Sequence, residues 1–171
     1  MLHVRFACLL LVLGLCPTGC AVGDGSPNSA IDAQMLTTAS NYRAWPRINR
    51  AAYRSTLGAF NINLYVSQGA DAFRRIHPET SASHVVLPVG TIIVREVLDA
   101  QGAPTKLTLM AKGPAGYDGR IGDWWFGVTD PHGVPLWDQG HEQIGALAEC
   151  HSCHIPRATD DFLFGVPAAD E

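Results

Sequence analysis

Little in this chain suits it to bind a polyanion or to hold itself together with disulfides. Its 171 residues carry a formal charge of −4 and an isoelectric point near 5.9, with no basic stripe, which argues against nucleic acid as a partner. Cysteine is scarce: of five, Cys8, Cys16 and Cys20 fall at the N-terminus and only Cys150 and Cys153 lie beyond it. Methionine is scarcer, since beyond the same point only Met35 and Met110 remain and none follows residue 110. Histidines 77, 84, 132 and 141 are scattered singly and form no pair with zinc-ligand spacing.

The N-terminus reads as a targeting segment. Arg5 is followed by an apolar run from Phe6 to Cys16, too short to span a membrane and the right size for the hydrophobic part of a signal peptide. It ends Pro17-Thr18-Gly19-Cys20, which resembles a bacterial lipobox with Pro17 where Leu is usual. Two readings compete for Cys20: lipidation after cleavage at residue 19, or secretory cleavage a few residues later. Cysteine accounting favours lipidation, because it leaves no thiol over for a structural disulfide. The expected division is a signal peptide over 1–19, a lipidated tether over 20–32 rich in small, polar and Gly/Pro residues, and one globular domain over 33–171. Ala21 is not the Asp that retains lipoproteins at the inner membrane, so in a Gram-negative cell the expected location is periplasmic, anchored to the outer membrane.

Within the domain, apolar spacing predicts a helix from Ala33 to Ala44, ended by Trp45-Pro46. Asn61 to Ser67 alternates as a half-buried strand, and a short helical stretch follows from Ala70 to Ile76. Thr91–Leu98 and Lys106–Lys112 read as a hairpin about Asp99–Gly102. Trp124–Thr129 is an aromatic strand, Asp130–Gly133 a turn, and Val134–Trp137 the start of another strand. From about Glu142 to His154 the pattern is helical until Pro156. The fold class predicted is α+β: a mainly antiparallel sheet with a few helices, the C-terminal one ending the ordered pattern.

That last helix carries Cys150-His151-Ser152-Cys153-His154, the Cys-x-x-Cys-His spacing of c-type haem attachment. On a helix, positions i, i+3 and i+4 share a face, so both thiols can reach the vinyl groups and His154 the iron. The cofactor expected is one covalently held haem c. A zinc half-site and a redox dithiol are the competing readings. Zinc lacks a second ligand pair, and a thioredoxin-like dithiol belongs after a first strand rather than near residue 150. Met110 and Met35 are the only methionines offered as a sixth ligand, and Met110 in an alternating strand reads as core. Only 17 residues follow His154 and none is Met, which excludes the layout of class I electron-transfer cytochromes. The four-helix cytochromes c′ are excluded by the β-branched, turn-punctuated composition.

Several segments, in this order and spacing, together resemble the cytochromes P-460 and their relatives the cytochromes c′-beta. They are Tyr42-Arg43-Ala44-Trp45, Leu64-Tyr65-Val66, Gly90 to Glu96, Met110 to Gly113 with Gly116-Tyr117, Gly122 to Trp125, and Cys150 to His154 with Thr159 to Phe162. The resemblance implies a β-rich homodimer with five-coordinate haem, His154 proximal, a distal side open to a small gaseous or nitrogenous ligand such as nitric oxide, and a redox partner protein. It also implies where this chain departs. The family's P-460 members cross-link haem through a lysine in Val-Lys-Glu, and oxidise hydroxylamine; here the triplet is Val94-Arg95-Glu96.

Arginine keeps its proton above about pH 12, so it is a poor nucleophile and the cross-link should not form. Strand parity puts Arg95 with Ile93 and Val97, toward a buried face, where a guanidinium needs an anion from a propionate, a Glu96-type carboxylate or a bound ligand. An ion pair without functional role is the plainer reading. Thr108 stands where the hydroxylamine-oxidising members carry a distal carboxylate, and in the c′-beta members phenylalanines cap the distal side, for which Phe60 and Phe73 are candidates. Tyr117, Trp124, Trp125 and Trp137 are expected either to wall the pocket or to fill the core. Three functions follow: a nitrogen-ligand-binding haem protein, a hydroxylamine or nitric oxide oxidoreductase, and a plain electron-transfer cytochrome.

Overall fold

The structure, a computed structural model, describes residues 29–55, 60–80 and 82–171, with side chains from residue 32 onward. Residues 1–28, on which the expected signal peptide, Cys20 and most of the expected tether fall, lie outside it. Helix α1 spans Ser29–Ala39 and the short helix α2 Ala70–Phe73; α3 spans Ala148–His154. Strands β1 (Tyr53–Arg54), β2 (Asn61–Val66), β3 (Ile92–Leu98), β4 (Pro104–Lys112), β5 (Trp124–Thr129) and β8 (Ile144–Gly145) form one sheet in the order β1-β2-β3-β4-β5-β8. Every pairing in it is antiparallel. Strands β6 (Trp137–Asp138) and β7 (His141–Glu142) make a separate two-stranded hairpin. This is the mixed α+β architecture predicted, and no described helix is long and apolar enough to cross a membrane.

Both faces of the sheet are covered, which is why β3 reads as an almost unbroken apolar run. Ile92 and Val94 point to one face, where Met35, Ala39, Tyr42, Leu107, Leu109, Ala111 and Trp125 pack. Ile93 and Val97 point to the other, with Ile62, Leu64, Val66, Phe73, Ile76, Phe126 and Leu163. Glu96 lies on the first face, accepting from Tyr42 Oη at 2.6 Å, Asn63 Nδ2 at 3.0 Å and Arg43 Nε at 3.0 Å. Gly127 is required there, because a Cβ on it would sit 2.6 Å from the Trp125 ring.

Several element boundaries differ from the sequence reading. Helix α1 begins at Ser29, inside the stretch expected to be the tether. Asp32 Oδ1 accepts from the indole of fully buried Trp125 at 2.6 Å, so these small, polar residues belong to a docked helix. The first helix also stops at Ala39, and Tyr42–Ala44 forms a separate 3-10 turn. The helix predicted from Glu142 starts only at Ala148. Ile144 and Gly145 pair with Gly127 and Phe126 at the sheet edge, and Gly145 takes a φ of 97° that a helix cannot hold. Nor does Pro156 end the helical run, since it sits in the first turn of the 3-10 stretch Ile155–Asp160, where a missing N–H goes unfelt.

Candidate functional site

The antiparallel register stacks residues of the cavity-side face in rows across the sheet. Leu64, Arg95, Thr108 and Val128 are successive partners on β2, β3, β4 and β5; the next row is Val66, Ile93, Met110 and Phe126. Over these rows lies a solvent-connected cavity of about 170 Å³, which Cys150 and His154 of α3 also line. Most of its lining is apolar. Tyr53, Phe73, Phe164 and Leu163 contribute, and the sheet supplies Arg95 and Thr108 as its polar pair.

His154 is held with one nitrogen committed. Its Nδ1 lies 2.6 Å from the Phe162 carbonyl, and a carbonyl oxygen only accepts, so the proton sits on Nδ1 and the lone pair on Nε2. This is the tautomer a metal-binding imidazole adopts when its second nitrogen donates to the backbone. Burial holds the ring below the ordinary histidine pKa, with the Arg95 charge adding to the effect and the Phe162 bond opposing it. The rings of Phe126 and Phe164 flank it edge-on, with centroids 5.3 and 5.2 Å away.

The carbonyl that orients His154 comes from a strained corner. Asp161 and Phe162 both adopt left-handed backbone, φ 53° and 63°, which costs about 1–3 kcal/mol for each non-glycine residue. Asp161 is tied down on three sides. Its carboxylate pairs with Lys112 Nζ at 2.5 Å and accepts from the Leu87 amide at 2.8 Å, and its carbonyl accepts from the Trp124 indole at 2.8 Å. Lys112 also lies over the Trp124 ring, 5.0 Å from its centroid. The corner is thus fixed by β4, β5 and the strand-free segment before β3.

Cys150 and Cys153 are both free thiols. Cys150 lines the cavity and burial pushes its thiol pKa up to about 11, while Cys153 is exposed and lies outside the lining. His151 does not line the cavity: it is buried, 4.0 Å from the Asp118 carboxylate and with its ring centroid 5.5 Å from that of Phe126. Among the described residues no three His, Cys, Asp or Glu side chains converge on one point, so the zinc reading gains no ligand set. A haem needs only His154 from the chain, and its fit rests on the free Nε2, two unpaired thiols on one helix and an adjoining apolar cavity.

Arg95 is in the cavity, as strand parity predicts, and donates from Nε to Thr108 Oγ1 at 2.9 Å. Burial lowers its pKa, and among the described residues no carboxylate pairs with it. Glu96 is not its partner, since it faces the opposite side of the sheet. Phe73 lines the cavity and is fully buried. Phe60 does not: it is 50 % exposed just before β2, with Lys106 above its ring. Trp137, 67 % exposed on the outlying hairpin, neither walls the cavity nor fills the core, whereas Trp124 and Trp125 are core. Met110 lines the cavity as well as packing against the core. Tyr53, Phe126, Phe164 and the Lys112–Asp161 pair escaped the sequence reading; for Phe126, the parity of β5 was the signal available. Comparison with known protein families matches none of them to this chain, and no curated protein is significantly similar to it.

Proposed function

We propose that this chain is a c-type monohaem protein whose iron takes His154 on one side and leaves the other for a small nitrogen ligand such as nitric oxide. The observation that carries the reading is His154 itself, its Nδ1 tied to Phe162 and its Nε2 unassigned, beside a thiol on the wall of an apolar cavity. Cys150 and Cys153 would hold one haem c by thioether bonds. The haem supplies a redox-active iron. The chain's own residues then orient that iron's ligand through the Asp161–Phe162 corner, exclude water with Phe73, Phe126 and Phe164, and keep the imidazole neutral by burial.

The resemblance to the cytochromes P-460 and c′-beta supports the same assignment. Within it, Arg95 and Thr108 oppose hydroxylamine oxidation, because neither can make the lysine cross-link or accept a proton as a carboxylate does. We further propose export to the periplasm with Cys20 as the lipid anchor, a redox partner protein, and a homodimer. A second reading has one observation in its favour: Met110 lines the cavity that His154 faces, so a Met-ligated electron-transfer centre is the rival. Absorption spectra of the haem-loaded, reduced protein decide between them. The proposal predicts a high-spin ferrous spectrum that shifts on adding nitric oxide; a low-spin spectrum indifferent to nitric oxide, turning high-spin in Met110→Leu, would establish the rival.

A further inference from the structure

We propose that Arg95 and Thr108 form an anion-recognition subsite inside the haem cavity, selecting a small monovalent anion such as nitrite; this rests on the haem reading above. The guanidinium carries five N–H donors, and among the described residues its one hydrogen bond is from Nε to Thr108 Oγ1, at 2.9 Å. Arg95 shares the cavity lining with Tyr53, Ser55, Ile62, Leu64 and Ile93, none of which carries a carboxylate. A cation so placed is incomplete. Unpaired burial of charge is costly, and the planar fork of arginine is shaped to take two oxygens of one anion. Among the described residues no carboxylate pairs with it, as Glu96 is spent on Tyr42, Asn63 and Arg43 across the sheet.

Two anions have this chemistry, a haem propionate and an exogenous ligand. Arg95 lines the same cavity as Cys150 and His154, so an exogenous anion that enters this cavity meets its open donors, and the variants below tell such an anion from a propionate.

Ferric haem-loaded protein titrated with nitrite, azide and neutral nitric oxide, followed by absorption, tests this. In Arg95→Gln the preference for the two anions over nitric oxide should fall about tenfold to a hundredfold, as expected for a lost charge-assisted hydrogen bond. Arg95→Lys should recover part of it. Thr108→Val, which removes only the hydroxyl that orients the guanidinium, should lower the preference about threefold and gives a second background if Arg95→Gln does not load haem. An unchanged preference in the Arg95 and Thr108 variants, with only the reduction potential moved, would assign the guanidinium to a propionate and overturn the inference alone. A six-coordinate, low-spin wild type that binds neither nitrite nor nitric oxide would overturn the haem-ligand reading as well.

Discussion

At Glu96 two effects of burial act in opposite directions. Desolvation alone would push its carboxyl up, but hydrogen bonds from Tyr42, Asn63 and Arg43 outweigh it and hold the group below the usual carboxylate range. A group whose folded pKa is depressed contributes stability above its unfolded pKa, about 4.3 for Glu, and loses it as pH falls through the folded value. Glu96→Gln should therefore cost about 1–3 kcal/mol at pH 7, measured by denaturant unfolding, and the gap from wild type should narrow below about pH 4. A gap that stays constant to low pH would mean that packing, not charge, sets the cost. Adjacent Arg95 has the opposite situation. One residue along the strand reverses the face: Glu96 accepts from three donors, while among the described residues Arg95 has a single acceptor, Thr108. Parity alone placed Arg95 toward a buried face, yet it left a Glu96-type carboxylate among its candidate partners. What parity could not show is that Tyr42 and Asn63, distant in the chain, would claim Glu96.

Among the elements, the hairpin of β3 and β4 and the aromatic β5 were readable because their alternation and turn residues agree. The haem-motif helix was readable only at its end. Ile144, Leu147 and Ala148 fall at helical spacing, yet Ile144 belongs to an edge strand, and spacing cannot separate those cases over so few residues. Phe60 and Phe73 could not be told apart in the sequence, since an aromatic residue beside an element carries no signal of whether it faces inward; Phe73 lines the cavity and Phe60 does not. The corner after α3 was least legible of all, since its conformation is imposed from outside by Lys112, Leu87 and Trp124. Asp161→Ala removes one partner of a buried ion pair and releases two left-handed residues. It should destabilise by about 3–5 kcal/mol in denaturant unfolding. An effect below about 1 kcal/mol would show that the corner holds its shape without the pair.

For the whole molecule, the sheet acts as a wall with a different task on each side. One face docks α1 and the 3-10 turn through Trp125, Tyr42 and Glu96. The other supports the cavity, and the segment after α3 closes back on it, passing so near Ile76 that a Cβ at Gly165 would lie 1.8 Å from its carbonyl oxygen. Cys150 and His154 thus meet the sheet only because the C-terminal segment is folded over it. The proposed covalent binding of haem by Cys150 and Cys153 beside His154 is tested by the intact mass, under denaturing conditions, of protein matured in a cell that makes c-type cytochromes. The expected mass is that of the processed chain plus one haem, and of the chain alone when both cysteines are changed to Ala. A wild-type chain that carries no haem under the same conditions would rule the attachment out.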